Sequence, residues 1–112
     1  MSNFSFSVDE DIKIVLEGTA WCLQQYFDYS YKAAIESINK YYKENEQRLS
    51  NSQWGDDFYS YEGAYRVALR IVYCQNLNLG DDRGIDFVEW MRNNYNVNVS
   101  RQLTMYLRQF YR

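Results

Sequence analysis

Asp81-Asp82-Arg83-Gly84 is the densest group of chemistry-bearing side chains, two adjacent carboxylates beside a guanidinium. Paired carboxylates suit a hard divalent cation. The D-x-[DN]-x-[DN]-G spacing of a calcium loop is missing here, however, and no glutamate follows at the required distance, so no metal is expected. Gly80 and Gly84 are too few and wrongly spaced for a phosphate-cradling loop or a dinucleotide fingerprint, and no cofactor is expected either. The chain has no histidine, which removes the commonest general base, the Ser-His and Cys-His nucleophile pairs and the usual nitrogen ligand for zinc or iron. Cys22 and Cys74 lie in apolar sequence, Ala-Trp-Cys-Leu and Val-Tyr-Cys-Gln, outside any C-x-x-C pair; both read as free, buried thiols. Carboxylate and tyrosine chemistry needs no histidine, yet no carboxylate pair stands apart from acids of helix surfaces. The residues favour a protein that binds over an enzyme.

Three groups of acids stand out: Asp9-Glu10-Asp11 with Glu17, Asp56-Asp57, and Asp81-Asp82 with Asp86 and Glu89. Residues 1 to 57 hold ten acids and five bases, a net −5, whereas residues 58 to 112 hold five acids and seven bases, a net +2. Such a field steers a basic partner and imitates a phosphate backbone. The plainer reading is that two of the groups sit at predicted helix N-termini, where carboxylates complement the dipole. Tyr59, Glu62, Arg66, Arg70 and Tyr73 recur at spacings of three and four, which puts two arginines and two tyrosines opposite an apolar stripe. Those residue types are enriched at interface hot spots. A Glu62–Arg66 surface pair with the tyrosines packed over neighbouring helices explains the same spacing.

The elements that must position these groups are all helical. Ser7-Val8-Asp9-Glu10 has the form of a capping box, and Val8, Ile12, Val15, Leu16, Leu23 and Phe27 follow at helical spacing, predicting a helix over residues 8 to 27. Gly18 inside it costs about 1 kcal/mol against alanine, which points to a close helix crossing. Tyr31, Ile35, Ile38 and Tyr42 stripe a second helix over 31 to 45, with Lys32, Glu36, Lys40 and Glu44 alternating in sign on another face. Residues 46 to 56 read as a surface loop ending near Trp54. A third, central helix runs from Asp57 to about Asn76 on the stripe Tyr61, Ala64, Tyr65, Ala68, Leu69 and Val72. Asn76 to Gly84 is a connection whose Asp81 and Asp82 are placed to complement a fourth helix through Ile85, Phe87, Val88, Trp90 and Met91, ending at Asn93-Asn94. Val97-Asn98-Val99 is a short alternating piece, after which Ser100 caps a last helix with Leu103, Tyr106, Leu107 and Phe110 on its inner face. The expected fold is all-α, a compact single domain over residues 1–112 with about five helices.

The chain has 112 residues, a net charge of −3, no proline and 19% aromatic residues, among them twelve tyrosines. So many tyrosines imply that many rings reach the surface. No apolar run approaches the roughly 18 residues of a membrane span, and Met1-Ser2-Asn3 lacks a signal peptide's basic head, so no membrane contact and a cytoplasmic location are expected.

Small size, acidic balance, absent histidine and abundant tyrosine resemble the cytoplasmic immunity proteins that protect bacteria from toxins delivered by neighbours, including those of contact-dependent growth inhibition systems. The resemblance is one of class, with no diagnostic motif. It implies a non-catalytic inhibitor that binds one cognate toxin, often a basic nuclease. The expected contact residues are Trp54, Asp56, Asp57, Tyr59 and Tyr61, with Asp9, Asp11 and Glu17 as a second patch. The same features suit a phage-encoded inhibitor that imitates nucleic acid, such as an anti-CRISPR protein. An accessory subunit with an aromatic oligomer interface is a further alternative.

A second resemblance is confined to the C-terminus. Val97-Asn98-Val99-Ser100-Arg101-Gln102-Leu103 with Tyr106-Leu107-Arg108 resembles the turn and second helix of helix-turn-helix DNA-binding proteins. Arg101, Met105, Arg108 and Arg112 fall on one helix face, and residues 93 to 112 contain three arginines and no acid. That passes the first electrostatic test for nucleic acid. It departs from the pattern in its connection, Tyr95 to Ser100, which exceeds the usual 3–4-residue turn and lacks a glycine.

Overall fold

The structure, a computed structural model, describes residues 4–50, 55 and 57–110. Among these residues every regular element is helical: α1 (Glu10–Tyr26), α2 (Tyr31–Ser50), α3 (Asp57–Glu62), α4 (Ala64–Ile71), a π-helical turn (Val72–Asn76), α5 (Ile85–Asn94), α6 (Val97–Leu107) and a closing 3-10 turn (Arg108–Phe110). The all-α reading stands, with six helices where five were expected. None is long and apolar enough to cross a membrane.

α1 and α4 form the central pair. The stripe Ile12, Leu16, Ala20 and Leu23 is buried, as are Gly18, Thr19 and Cys22 around it. α4 buries Ala64, Tyr65, Val67, Ala68, Leu69 and Ile71, six of its eight residues. Gly18 is where the helices meet: a Cβ there would lie 3.1 Å from Ala64 Cβ and 3.1 Å from Leu107 Cδ2. The glycine therefore permits the crossing that its cost in the helix suggested, and it seats α6 as well as α4. Beside it the buried Thr19 hydroxyl lies 3.0 Å from the Val15 carbonyl and 3.2 Å from the Ala64 carbonyl, so α1 is tied to the first residue of α4.

Four boundaries differ from the sequence reading. α1 starts at Glu10 with Asp9 at its cap position and no side-chain cap bond, so no Ser7–Glu10 capping box begins it. α2 continues to Ser50, five residues into the expected loop. The long third helix is broken at Gly63, whose φ of +89° and ψ of 156° lie in a region open to glycine, and it ends as the π turn. α6 begins at Val97 because the Asn96 side chain accepts from the Asn98 N–H at 2.9 Å; Val97-Asn98-Val99 is its first turn, and Asn96 replaces Ser100 as the cap.

Most of the aromatic excess is spent inside. Tyr41, Tyr59, Tyr65, Tyr73, Phe4 and Phe87 are buried. Phe6 stacks on Tyr42 with ring centroids 3.7 Å apart, and Ser5 N–H donates to Asn39 Oδ1 at 3.0 Å, laying the N-terminal segment along α2. Trp21 stacks on Tyr106 at 4.8 Å, fastening α6 over α1. Among the described residues Tyr31, Tyr61 and Tyr95 are the exposed tyrosines, fewer rings than the composition alone implies.

Candidate functional site

Two places gather polar side chains. The first is a cleft of about 600 Å³ lined by α2 residues Tyr41, Asn45 and Arg48, by Cys74 of the π turn, and by Asp81, Asp82 and Arg83 of the following loop. Asp82 is its centre. Only 4% of it is exposed, although its neighbours in the chain are exposed. One carboxylate oxygen accepts from the Tyr41 hydroxyl at 2.7 Å and from Arg70 Nη1 at 3.2 Å, and the other lies 3.4 Å from Arg48 Nη1. Arg70 also donates to the Asp82 backbone carbonyl at 2.8 Å and to Glu62 Oε1 at 3.1 Å, with its guanidinium 4.5 Å from the Phe87 ring centroid. Arg48 bonds Asn45, which in turn donates to the Tyr59 hydroxyl at 3.4 Å.

The electrostatics follow from that geometry. Burial opposes the charge on Asp82, but Tyr41, Arg48 and Arg70 outweigh it and hold the carboxyl below its ordinary range. Burial, then the Asp82 carboxylate, raises Tyr41 well above the usual phenol value. Burial and the same carboxylate push Cys74 up to about 12. Hydrogen bonds from Arg83 chiefly hold Asp81 down to about 2. These groups are kept away from neutrality, the opposite of what general acid–base work requires. The network fastens the loop after the π turn onto α2 and α4; it corrects the expectation that Asp82 complements the N-terminus of α5, where Gly84 occupies the cap position. The carboxylates are engaged by arginines, and no cluster of three or more metal-ligating side chains is assembled among the described residues.

The second place is acidic. Asp9, Glu10 and Asp11 are exposed at the start of α1, and Asp57 is exposed in the first turn of α3. Packing of α3 on α1 brings the two groups together: Asp9 and Asp57 line one shallow depression of about 320 Å³ with Ser7, Val8 and Ile12, and no cation lines it among the described residues. Tyr61 is 75% exposed and stands four residues after Asp57, hence on the same side of α3.

Neither the chain nor its fold is matched by any family model, curated protein or solved structure. Function must be read from these side chains.

The expected contact residues divide as follows. Asp9 and Asp57 are exposed and line the depression, and Asp11 and Tyr61 are exposed on α1 and α3. Tyr59 is fully buried, which removes it as a contact residue. The break at Gly63 rotates α3 relative to α4, so the helical register carried across it assigns Tyr59 to the wrong side. Tyr73 is likewise buried, on the π turn whose extra residue shifts the phase. Glu62 pairs with Arg70, eight residues on, and the expected Glu62–Arg66 pair is replaced. Glu17 is half-buried, with the Tyr31 hydroxyl 3.5 Å from its carboxylate, and lies two turns along α1 from Asp9. Trp54, Asp56 and Arg112 fall outside the described residues. Arg101 and Arg108 are exposed on α6 and the turn that follows it. Cys22 is buried and Cys74 half-buried, both free. Sequence reasoning missed Tyr41, Arg48, Arg70 and Asp82 as a unit; the only signal was a Gly-Asp-Asp-Arg run whose partners lie 41, 34 and 12 residues away.

Proposed function

We propose that this chain is a non-catalytic inhibitor that holds a basic protein partner, a toxin domain, on the acidic face formed by α1 and α3, as an immunity protein does. The observation that carries the reading is the shared depression lined by Asp9 and Asp57, with Asp11 exposed in the first turn of α1 and Tyr61 exposed on α3. Carboxylates from two separate segments converge where each already faces a helix N-terminus. Dipole complementation accounts for one acid at each end. Convergence of both ends on one surface without a lining cation creates a local negative field that attracts and orients a basic surface. Tyr61 supplies a large, amphipathic contact at low entropy cost.

The charged cleft supports the same reading from the other side. Its ties from Tyr41, Arg48 and Arg70 to Asp82 suit fastening a loop in place before a partner docks. Rigidity in the free protein lowers the ordering cost of association.

The test begins with the open reading frame next to this chain's own gene. Expressed alone, its toxin domain is expected to arrest bacterial growth, and co-expression with this chain to restore it. The Asp9→Lys/Asp57→Lys double variant is expected to lose protection while keeping the far-ultraviolet circular dichroism of the parent. Protection by the double variant equal to that of the parent overturns the assignment of this face.

A further inference from the structure

We infer that the outward face of α6 docks on the major groove of duplex DNA, a role separate from the acidic face. α6 is divided cleanly. Val99 and Leu103 are buried, and Tyr106 and Leu107 pack against the core over Gly18 and Trp21. The opposite side presents Val97, Arg101, Met105 and Arg108, all exposed, with Met105 70% accessible and Asn98 at their edge.

The arginines of this face differ from those of the cleft. Arg48, Arg70 and Arg83 are each paired with carboxylates. Arg101 and Arg108 make no ion pair among the described residues, and no acid occurs after Glu89. A chain with more acids than bases has thus kept two arginines of one helical stripe away from its own carboxylates. Arginine and asparagine are the side chains that bond phosphate oxygens and base edges.

Spacing supports a duplex. Arg108, the first residue after α6, follows Arg101 by seven positions, which on a regular α-helix is a rise of about 10.5 Å at nearly the same angle around the axis. The major groove is about 12 Å wide and admits one helix, so a helix laid across it sets one arginine near each bank of phosphates with Met105 between them. The connection is shorter than the sequence reading had it, since only Tyr95 and Asn96 separate α5 from α6; it is still not the usual 3–4-residue turn and contains no glycine. That junction is held in place by Tyr65, whose hydroxyl accepts from the Asn96 N–H at 3.2 Å. Glu17 of α1 acts on Tyr106, at the inner side of α6, and at physiological salt a Debye length of about 8 Å screens more distant acids from the outward face.

Fluorescence anisotropy of the full chain with a labelled 20-base-pair DNA duplex, titrated from low to physiological salt, tests the inference. Two phosphate contacts give a slope of log K against log salt near −1.8. Arg101→Ala/Arg108→Ala is expected to weaken binding at least tenfold and flatten the slope towards zero, while Arg101→Lys/Arg108→Lys retains it. Asp9→Asn/Asp57→Asn is expected to leave DNA affinity within about twofold, which separates this face from the protein-binding one. Absence of binding at low salt, a slope unchanged in the alanine variant, or equal affinity for duplex RNA, whose narrow major groove excludes a helix, overturns it.

Discussion

Asp82 shows how one side chain is held against its own solvation preference. A carboxylate this buried survives because three donors from two helices surround it. Removing one member of such a buried ionic group strands the others. Asp82→Ala is expected to lower unfolding free energy by about 3–5 kcal/mol, read by urea titration at pH 7. The sign of the pH dependence follows from linkage. The folded pKa lies below the ordinary 3.8, so the unfolded chain takes up the proton first, and the stabilisation present above that value is lost as pH falls through the folded one. The parent is therefore expected to lose stability below about pH 4, and the Asp82→Ala variant to show a shallower acid limb. Equal acid limbs would contradict this role. None of this was legible in sequence, because a loop aspartate that caps a helix and one that anchors the loop look alike until distant partners are placed.

At the level of elements, the helices were legible where an apolar stripe ran unbroken. α1, most of α2 and α5 follow their periodicity closely, and the close crossing at Gly18 was readable because an interior glycine is costly unless something needs the space. What escaped were changes of phase. Gly63 sits within a strong helical pattern, and nothing in that pattern signals a φ of +89°. The π turn adds a residue per turn without leaving the stripe. Together these hid the burial of Tyr59 and Tyr73. Gly63→Ala forces a side chain into a conformation that glycine alone adopts readily, at an expected cost of about 1–3 kcal/mol, although open space surrounds the position. A thermal melt checks this; an unchanged midpoint would mean that α3 is not locked at its angle to α4.

Across the whole molecule, charge polarity was visible in the sequence and its geometry was not. Residues 1 to 57 carry the acidic excess, yet only folding sets the start of α3 beside the start of α1. Leu103 and Leu107 seat α6 over the middle of α1, which leaves its arginine-bearing side outward. One body thus offers an acidic surface and a basic one around a core that buries Tyr41, Tyr59, Tyr65 and Tyr73. Steering by the acidic surface acts on the rate of encounter, whereas tyrosine burial acts on the lifetime of the complex.

Stopped-flow association of the purified chain with the proposed partner, the product of the reading frame beside its gene, followed across ionic strength, tests the partner-binding reading most directly. The parent rate constant is expected to fall at least about tenfold from low to high salt, and the rate of Asp9→Lys/Asp57→Lys to be slower at low salt and nearly flat. Superimposable rates for parent and variant at every ionic strength would contradict a partner gripped at this face.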